Sequence, residues 1–264
     1  MWSKIESHLY IHISNRSIHA HSTTSDHICI FSFSLFPLSL FSLYPHTPPL
    51  PLLSLPTPPA QTLNPPPSDH RQSTIGGAAL AFSAGPDKVA AAGYLVVVPD
   101  FFYGEPLDRE KHNIQTWLKD HGTDKGCEDG KAVVEHLKSK GVSAIGAAGF
   151  YWGGLVVSKL AKYESTIGAA VILHPGPITV DEINGVKVPI AILAAENDHI
   201  FSPDQAKLLD KALSAKSEIE SFVKIFPRVE HGWTVRYNIE DESAVKSAEE
   251  AHSDMLNWFT KFIK

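Results

Sequence analysis

The sequence predicts an α/β fold, a mostly parallel central sheet with helices on both faces, and three observations carry that reading. From residue 75 onward, short apolar runs alternate with amphipathic stretches. Strands buried on both faces, joined by crossover helices, leave that pattern. A hydrophobic fraction of 43% beside 20% charged residues is ordinary for a globular protein. The 264 residues suffice for one sizeable domain and a tail.

Taken in chain order, residues 75–93 have room for a short strand at 78–82 and a stub of helix at 87–92. Without that strand the sheet would lack its centre, leaving an unpaired edge between 94–99 and 142–148. Residues 94–99 (YLVVVP) are the fully apolar run expected of a buried parallel strand. Residues 128–140 read as a helix, with Ala132, Val133 and Leu137 as its apolar stripe and Gly141 as its stop. A strand at 142–148 and a helix at 153–163 follow, then two buried strands at 167–173 and 188–194. A helix at 203–213, a last strand at 221–226 and a long helix at 240–262 complete the domain.

The first 74 residues are of another kind. No Asp, Glu, Lys or Arg occurs from His27 to Ser68, and 25 of the 30 residues from Ile30 to Pro59 are Phe, Ser, Leu or Pro. Pro37, Pro45, Pro48 and Pro49 interrupt any helix or strand there. The apolar stretch 28–44 is shorter than the ~20 residues a membrane span needs. We expect 1–74 to be a disordered or spurious leader, and 75–264 to be the folded domain. The four abundant residues are those whose codons can be wholly pyrimidine, as a read-through untranslated leader would give. A targeting peptide is the alternative. Seven histidines are scattered through this segment (His8, His12, His19, His21, His27, His46, His70). With no fold to gather them, they are not read as a metal site.

The net charge of −6 comes with no basic run, so neither nucleic acid nor an anionic membrane is an expected partner. No protein partner is predicted. Cys29 and Cys127 lie far apart and match no disulfide or metal spacing, so a reducing, cytoplasmic compartment is expected. If the leader is a targeting peptide, the compartment is a plastid or the exterior.

Three places fall just past the C-terminal end of a predicted strand, where open α/β sheets build their sites. Gly149-Phe150-Tyr151-Trp152-Gly153 has the frame of a nucleophile elbow, a strand turning sharply into a helix with its middle residue strained. Asp198 follows the strand at 188–194, and His231 follows the one at 221–226. Elbow, acid, histidine is the chain order of α/β-hydrolases and differs from the other known triad orders. Glu196 competes with Asp198 for the acid's place, and Asp198 has the alternative of capping the helix that begins at Pro203.

With those residues in place, the chain resembles the dienelactone hydrolase family, and most of all its plant members, some of which carry a glucanase-like name. The likeness runs from Asp87 to Tyr94 and through Val96-Val97-Val98-Pro99-Asp100-Phe101-Phe102-Tyr103-Gly104. It continues through Trp117-Leu118-Lys119-Asp120-His121-Gly122, the elbow, 189–193, and His231-Gly232-Trp233-Thr234-Val235-Arg236-Tyr237. The resemblance implies an α/β-hydrolase acting on small ester or lactone substrates through Cys, His and Asp, with no metal or organic cofactor. It makes His231 the base and Asp198 its orienting acid. The Trp152 N–H becomes one half of an oxyanion hole, and Arg236 a holder of an anionic substrate.

Tyr151 stands where the family's nucleophilic cysteine belongs. Its oxygen lies several ångströms further from the backbone than a cysteine sulfur, so it cannot attack a carbonyl held at the Trp152 N–H. Activity is therefore expected to be lost or much reduced. The alternatives are a pseudoenzyme that binds an aromatic or carboxylated molecule, or the product of a defective gene model. The short segment at 75–93 also predicts that the second oxyanion donor is missing.

Overall fold

A computed structural model describes residues 27–32, 86, 88–103, 105, 107, 108 and 111–264. Its elements are β1 (His27–Ser32), β2 (Leu95–Val97), α1 (Ile114–Asp120), α2 (Thr123–Ser139), β3 (Ala144–Tyr151), α3 (Trp152–Leu160) and β4 (Ala169–Pro175). They continue with α4 (Val180–Asn184), β5 (Ile190–Asn197), α5 (Pro203–Ser214), β6 (Ser221–Glu230) and α6 (Glu242–Phe262). The strands form one parallel sheet in the order β2-β1-β3-β4-β5-β6. From β3 onward each new strand is added on the same side. Strand β2, by contrast, lies across β1 from β3. The change of direction therefore falls between β1 and β3, the switch point at which open sheets leave a crevice at their C-terminal ends.

The centre of the sheet is filled from an unexpected place. The sequence assigns the slot between β2 and β3 to 78–82 or leaves it empty, and 78–82 lies outside the described residues. β1 occupies it, paired with β2 through Ile28↔Leu95 and with β3 through Ser32↔Gly149. Six residues from within the presumed leader thus satisfy backbone groups on both neighbours. The run HICIFS is too short to show a period, and the Ser/Pro-rich composition that follows hides it. The rest of 1–74 lies outside the described residues.

Alternation along the strands sorts the core into two faces. Ile145 and Ala147, Ala170 and Ile172, and Ile190, Ile192 and Ala194 face α1 to α5, against Trp117, Val133, Val156, Ile183 and Leu209. Ala148 and Phe150, Ala169, Val171 and Leu173, and Ala191 and Leu193 face α6, against Ala251, Met255 and Phe259. All seven residues of β4 are buried, as expected of a strand covered on both faces.

Helix ends follow from local chemistry. Ser202 caps α5, accepting from the Gln205 N–H with Pro203 next in line, and Asp241 caps α6 through the Ser243 and Ala244 N–H groups. α4 is closed by a Thr179–Glu182 capping box. α2 begins at Thr123, earlier than the apolar stripe predicts. Gly126 hides that start, since glycine disfavours a helix interior, yet it lets α2 approach α3 closely. A Cβ there would lie 2.6 Å from the Trp152 indole. The predicted stub at 87–92 is seen as helical residues 88–91.

Candidate active site

The elbow is built by close backbone approach. β3 ends at Tyr151, and α3 starts at the next residue, Trp152. Tyr151 adopts φ 48° and ψ −108°, a conformation that a bulky non-glycine residue adopts only at a cost. Gly149 is what allows the turn, because a Cβ on it would lie 2.2 Å from the Gly153 carbonyl oxygen and 2.7 Å from the Gly154 nitrogen. The Tyr151 carbonyl accepts from the Gly176 N–H at 3.1 Å, tying the elbow to the end of β4. The Trp152 indole, 2% exposed, donates to the His121 carbonyl at 3.0 Å and packs against Phe101 and Phe102. As the first residue of α3, Trp152 has a backbone N–H that no intrahelical carbonyl can reach. The first turn also carries the positive end of the helix dipole.

Asp198 and His231 meet, although they end different strands. His231 Nδ1 lies 2.8 Å from Asp198 Oδ2, and the two side chains are 8% and 0% exposed. A carboxylate only accepts, so Nδ1 carries the proton and Nε2 is left as the basic nitrogen. The other Asp198 oxygen accepts from the N–H groups of Ile200 and Phe201 at 2.8 and 3.0 Å. Burial works to raise the Asp198 pKa, but the His231 bond and these backbone donors outweigh it and hold the carboxyl below its ordinary value. The carboxyl is therefore ionised at neutral pH, as an orienting acid requires.

Geometry separates the residues that compete for these places. Asp198 does not cap α5, which Ser202 does. Glu196 accepts from the Arg228 backbone N–H at 2.7 Å and so braces the end of β6.

The ring of Tyr151 stands edge-on to His231, with centroids 5.1 Å apart at 86°. Arg236, assigned by resemblance to an anionic substrate, donates from Nη2 to the His231 carbonyl at 3.0 Å and lies over Gly232. The loop beyond β1, from which a second oxyanion donor would come, lies outside the described residues. A cavity of about 500 Å³ opens beside His231, lined among others by Arg228, Glu230, Trp233, Tyr237 and Asp241. Neither Tyr151 nor Trp152 lines it, so it is not where a carbonyl would be attacked.

Sequence reasoning missed His174. This residue is the last but one of β4 and stands one position past the predicted strand, 167–173, where the rule that found Asp198 and His231 also looks. Its ring is 2% exposed and lies 5.1 Å, centroid to centroid, from that of His231. His252, also missed, lies on α6 and is 1% exposed.

These two histidines set an expected pH dependence. Burial, then the Lys88 charge, pushes the His252 pKa down from 6.5 to about 4. Between these values the unfolded chain takes up a proton that the folded one refuses, so stability falls as pH drops from 6.5 towards 4. The loss amounts to about 3 kcal/mol over that window. The buried His174, likewise pushed down, adds to it with the same sign. Asp198, whose pKa is also lowered, acts with the same sign but further down, its contribution being lost only as pH falls below the ordinary carboxylate range. Urea unfolding at pH 7.0, 5.5 and 4.5 checks this (pH values set about the midpoint of the window), with a His252→Met variant expected to flatten the slope.

The model of the dienelactone hydrolase family matches residues 75–263. A maize endo-1,3;1,4-β-D-glucanase is 39% identical over 133 residues, which are 50% of this chain and 43% of the maize protein. The chain thus spans less than half of that relative. A carboxymethylenebutenolidase homolog from Xenopus tropicalis is 31% identical over 182 residues, 67% of this chain and 74% of its own length. Among solved structures, one named as a dienelactone hydrolase from Klebsiella pneumoniae superposes with a TM-score of 0.62 at 18% identity, covering 89% of this chain and 87% of that one. The dienelactone hydrolase of Anabaena variabilis gives 0.53 at 14%, covering 90% and 87%. At these identities the structures speak for the α/β-hydrolase fold.

Proposed function

This chain belongs to the dienelactone hydrolase family, and from that premise we propose that it is an ester- and lactone-hydrolase scaffold whose turnover is lost or much reduced at Tyr151. One observation carries the reading: the residue at the strained elbow is a tyrosine whose ring lies against His231. A cysteine there would be a short thiol beside His231 Nε2, at the N-terminus of α3, where the dipole favours a thiolate. Sulfur attack on a carbonyl oriented by the Trp152 N–H would follow, with His231 moving the proton and Asp198 stabilising the imidazolium. Tyrosine keeps the frame and removes the attacking atom. Its ring also fills the space next to His231 that a substrate would enter.

The substrate class is small esters or lactones rather than glycosides. Glycoside hydrolysis generally uses two carboxylates flanking the bond. Among the described residues near the elbow, Asp198 is bonded to His231 and Glu196 to the Arg228 N–H. Neither is left to act as half of such a pair. Arg236 has a bracing contact to the His231 carbonyl, and a substrate carboxylate is a second use for the same guanidinium.

A second reading is favoured by the intact Asp198–His231 pair: a binder of small aromatic or carboxylated molecules without turnover. The test is to assay the full chain on p-nitrophenyl acetate beside its Tyr151→Cys variant. Hydrolysis by the unmodified chain as fast as by the variant, abolished by His231→Ala, overturns the proposal. Saturable binding of a carboxylated aromatic with no turnover supports the second reading.

A further inference from the structure

The backbone at His174 is strained and its ring is incompletely bonded. Its φ is 35°, in the left-handed region, and its Nδ1 is buried with no hydrogen-bond partner among the described residues. Each feature costs free energy, and a residue that keeps both is over-determined by what surrounds it. Its surroundings join the two halves of the site. The ring contacts Phe150, the residue before Tyr151, at 5.7 Å between centroids. On the other side it meets His231 at 5.1 Å and Trp233 at 5.4 Å. Its Nε2 is hydrogen-bonded to Thr234 Oγ1 at 2.7 Å, and Thr234 is fully buried.

Thr234 is held from the far side as well. Lys88 Nζ, which only donates, reaches His252 Nδ1 at 3.3 Å. His252 must therefore carry its proton on Nε2, and it donates to the Thr234 carbonyl at 3.1 Å. Between His231 and Thr234 the chain turns tightly through Gly232, with the Val235 N–H bonded to the Gly232 carbonyl at 3.0 Å. Fixing Thr234 thus leaves His231 little freedom.

We propose that His174 is a positioning residue that, through Thr234, clamps the loop bearing His231 against the elbow strand. The inference rests on His231 being the base of the proposed site. Apart from His231, the charged groups acting on His174 are Arg236 and Asp198, while His252 feels Lys88, itself paired with Glu249. Both clamp histidines are neutral at pH 7, so the clamp is set by hydrogen bonds and packing.

The test uses the full chain with Tyr151 in place and follows the low-field NMR signal of the His231 Nδ1 proton bonded to Asp198. His174→Leu and Thr234→Val are expected to abolish this signal and to shift the His231 titration, while Thr234→Ser, which keeps the hydroxyl, retains both. In the Tyr151→Cys background the first two are expected to lower kcat by about 10- to 100-fold with KM nearly unchanged, the cost of a base held slightly out of place. If His174→Leu does not fold, the Thr234→Val and Thr234→Ser pair decides. An unchanged signal and kcat in Thr234→Val overturns the proposal, as does equal impairment of Thr234→Ser. The NMR arm needs no turnover. A Tyr151→Cys protein that is inactive by itself therefore counts against the proposed function, and the signal still judges the clamp.

Discussion

Replacing Tyr151 by cysteine is expected to raise hydrolysis of p-nitrophenyl acetate by about 10³-fold over the unmodified chain. Two opposing magnitudes set that figure. Removing the nucleophile from a related kind of triad costs about 10⁶ in rate. An oxyanion donor is worth about 10²–10³, and the figure carries the expectation, drawn from the short segment at 75–93, that the second one is missing. The remaining machinery is assembled: the His231–Asp198 bond is 2.8 Å long, Asp198 is held by two further N–H groups, and the Trp152 N–H stands at the start of α3. Cysteine also removes the ring that faces His231. Release of p-nitrophenolate is the readout, and adding His231→Ala should return it to the starting rate. A gain of less than tenfold (roughly 1.4 kcal/mol of barrier) would mean that more than the nucleophile has been lost.

Gly149→Ala is expected to be more destabilising than Gly126→Ala or Gly130→Ala, because what its Cβ meets is backbone. The new Cβ would sit 2.2 Å from the Gly153 carbonyl oxygen and 2.4 Å from its carbon, both backbone atoms. No rotamer change can relieve such a contact, in contrast to Gly126, where the Trp152 indole has some freedom. The elbow would have to open, separating β3 from α3 between two buried faces. Overpacking in a core costs ~1–3 kcal/mol and occasionally more, and here the obstruction is backbone, so a loss of at least about 4 kcal/mol is expected. Urea unfolding measures it. A variant within about 1 kcal/mol of the parent, a loss typical of surface-scale substitutions, would show that the elbow is looser than these distances imply.

Much of this architecture was legible from the sequence, for identifiable reasons. β2 through β6 are apolar runs closed by glycine, proline or charge, and each was found with its ends displaced by a few residues. The elbow, Asp198 and His231 were found because each follows a strand, and in parallel sheets that position is where loops converge. Other parts were hidden. The start of α2 was masked by Gly126, which weakens helix propensity in order to admit the Trp152 ring. α4 spans only Val180–Asn184, too short for a helical period to show. His174, directly after the predicted strand 167–173, was passed over because the elbow–acid–histidine order leaves that place without a role, and His252 because a buried histidine on α6 has no local signature. β1 was hidden by the composition around it.

β1 also bears on how the chain folds. Its neighbours in space, Leu95 on one side and Ala144–Gly149 on the other, are far away along the chain. Strands β3 to β6, by contrast, each pair with the next in sequence. Closing a long loop costs entropy before any pairing repays it, and non-local parallel pairing is slow. The half of the sheet that carries Tyr151, Asp198 and His231 is therefore expected to assemble first, with the strand at the middle of the finished sheet arriving last.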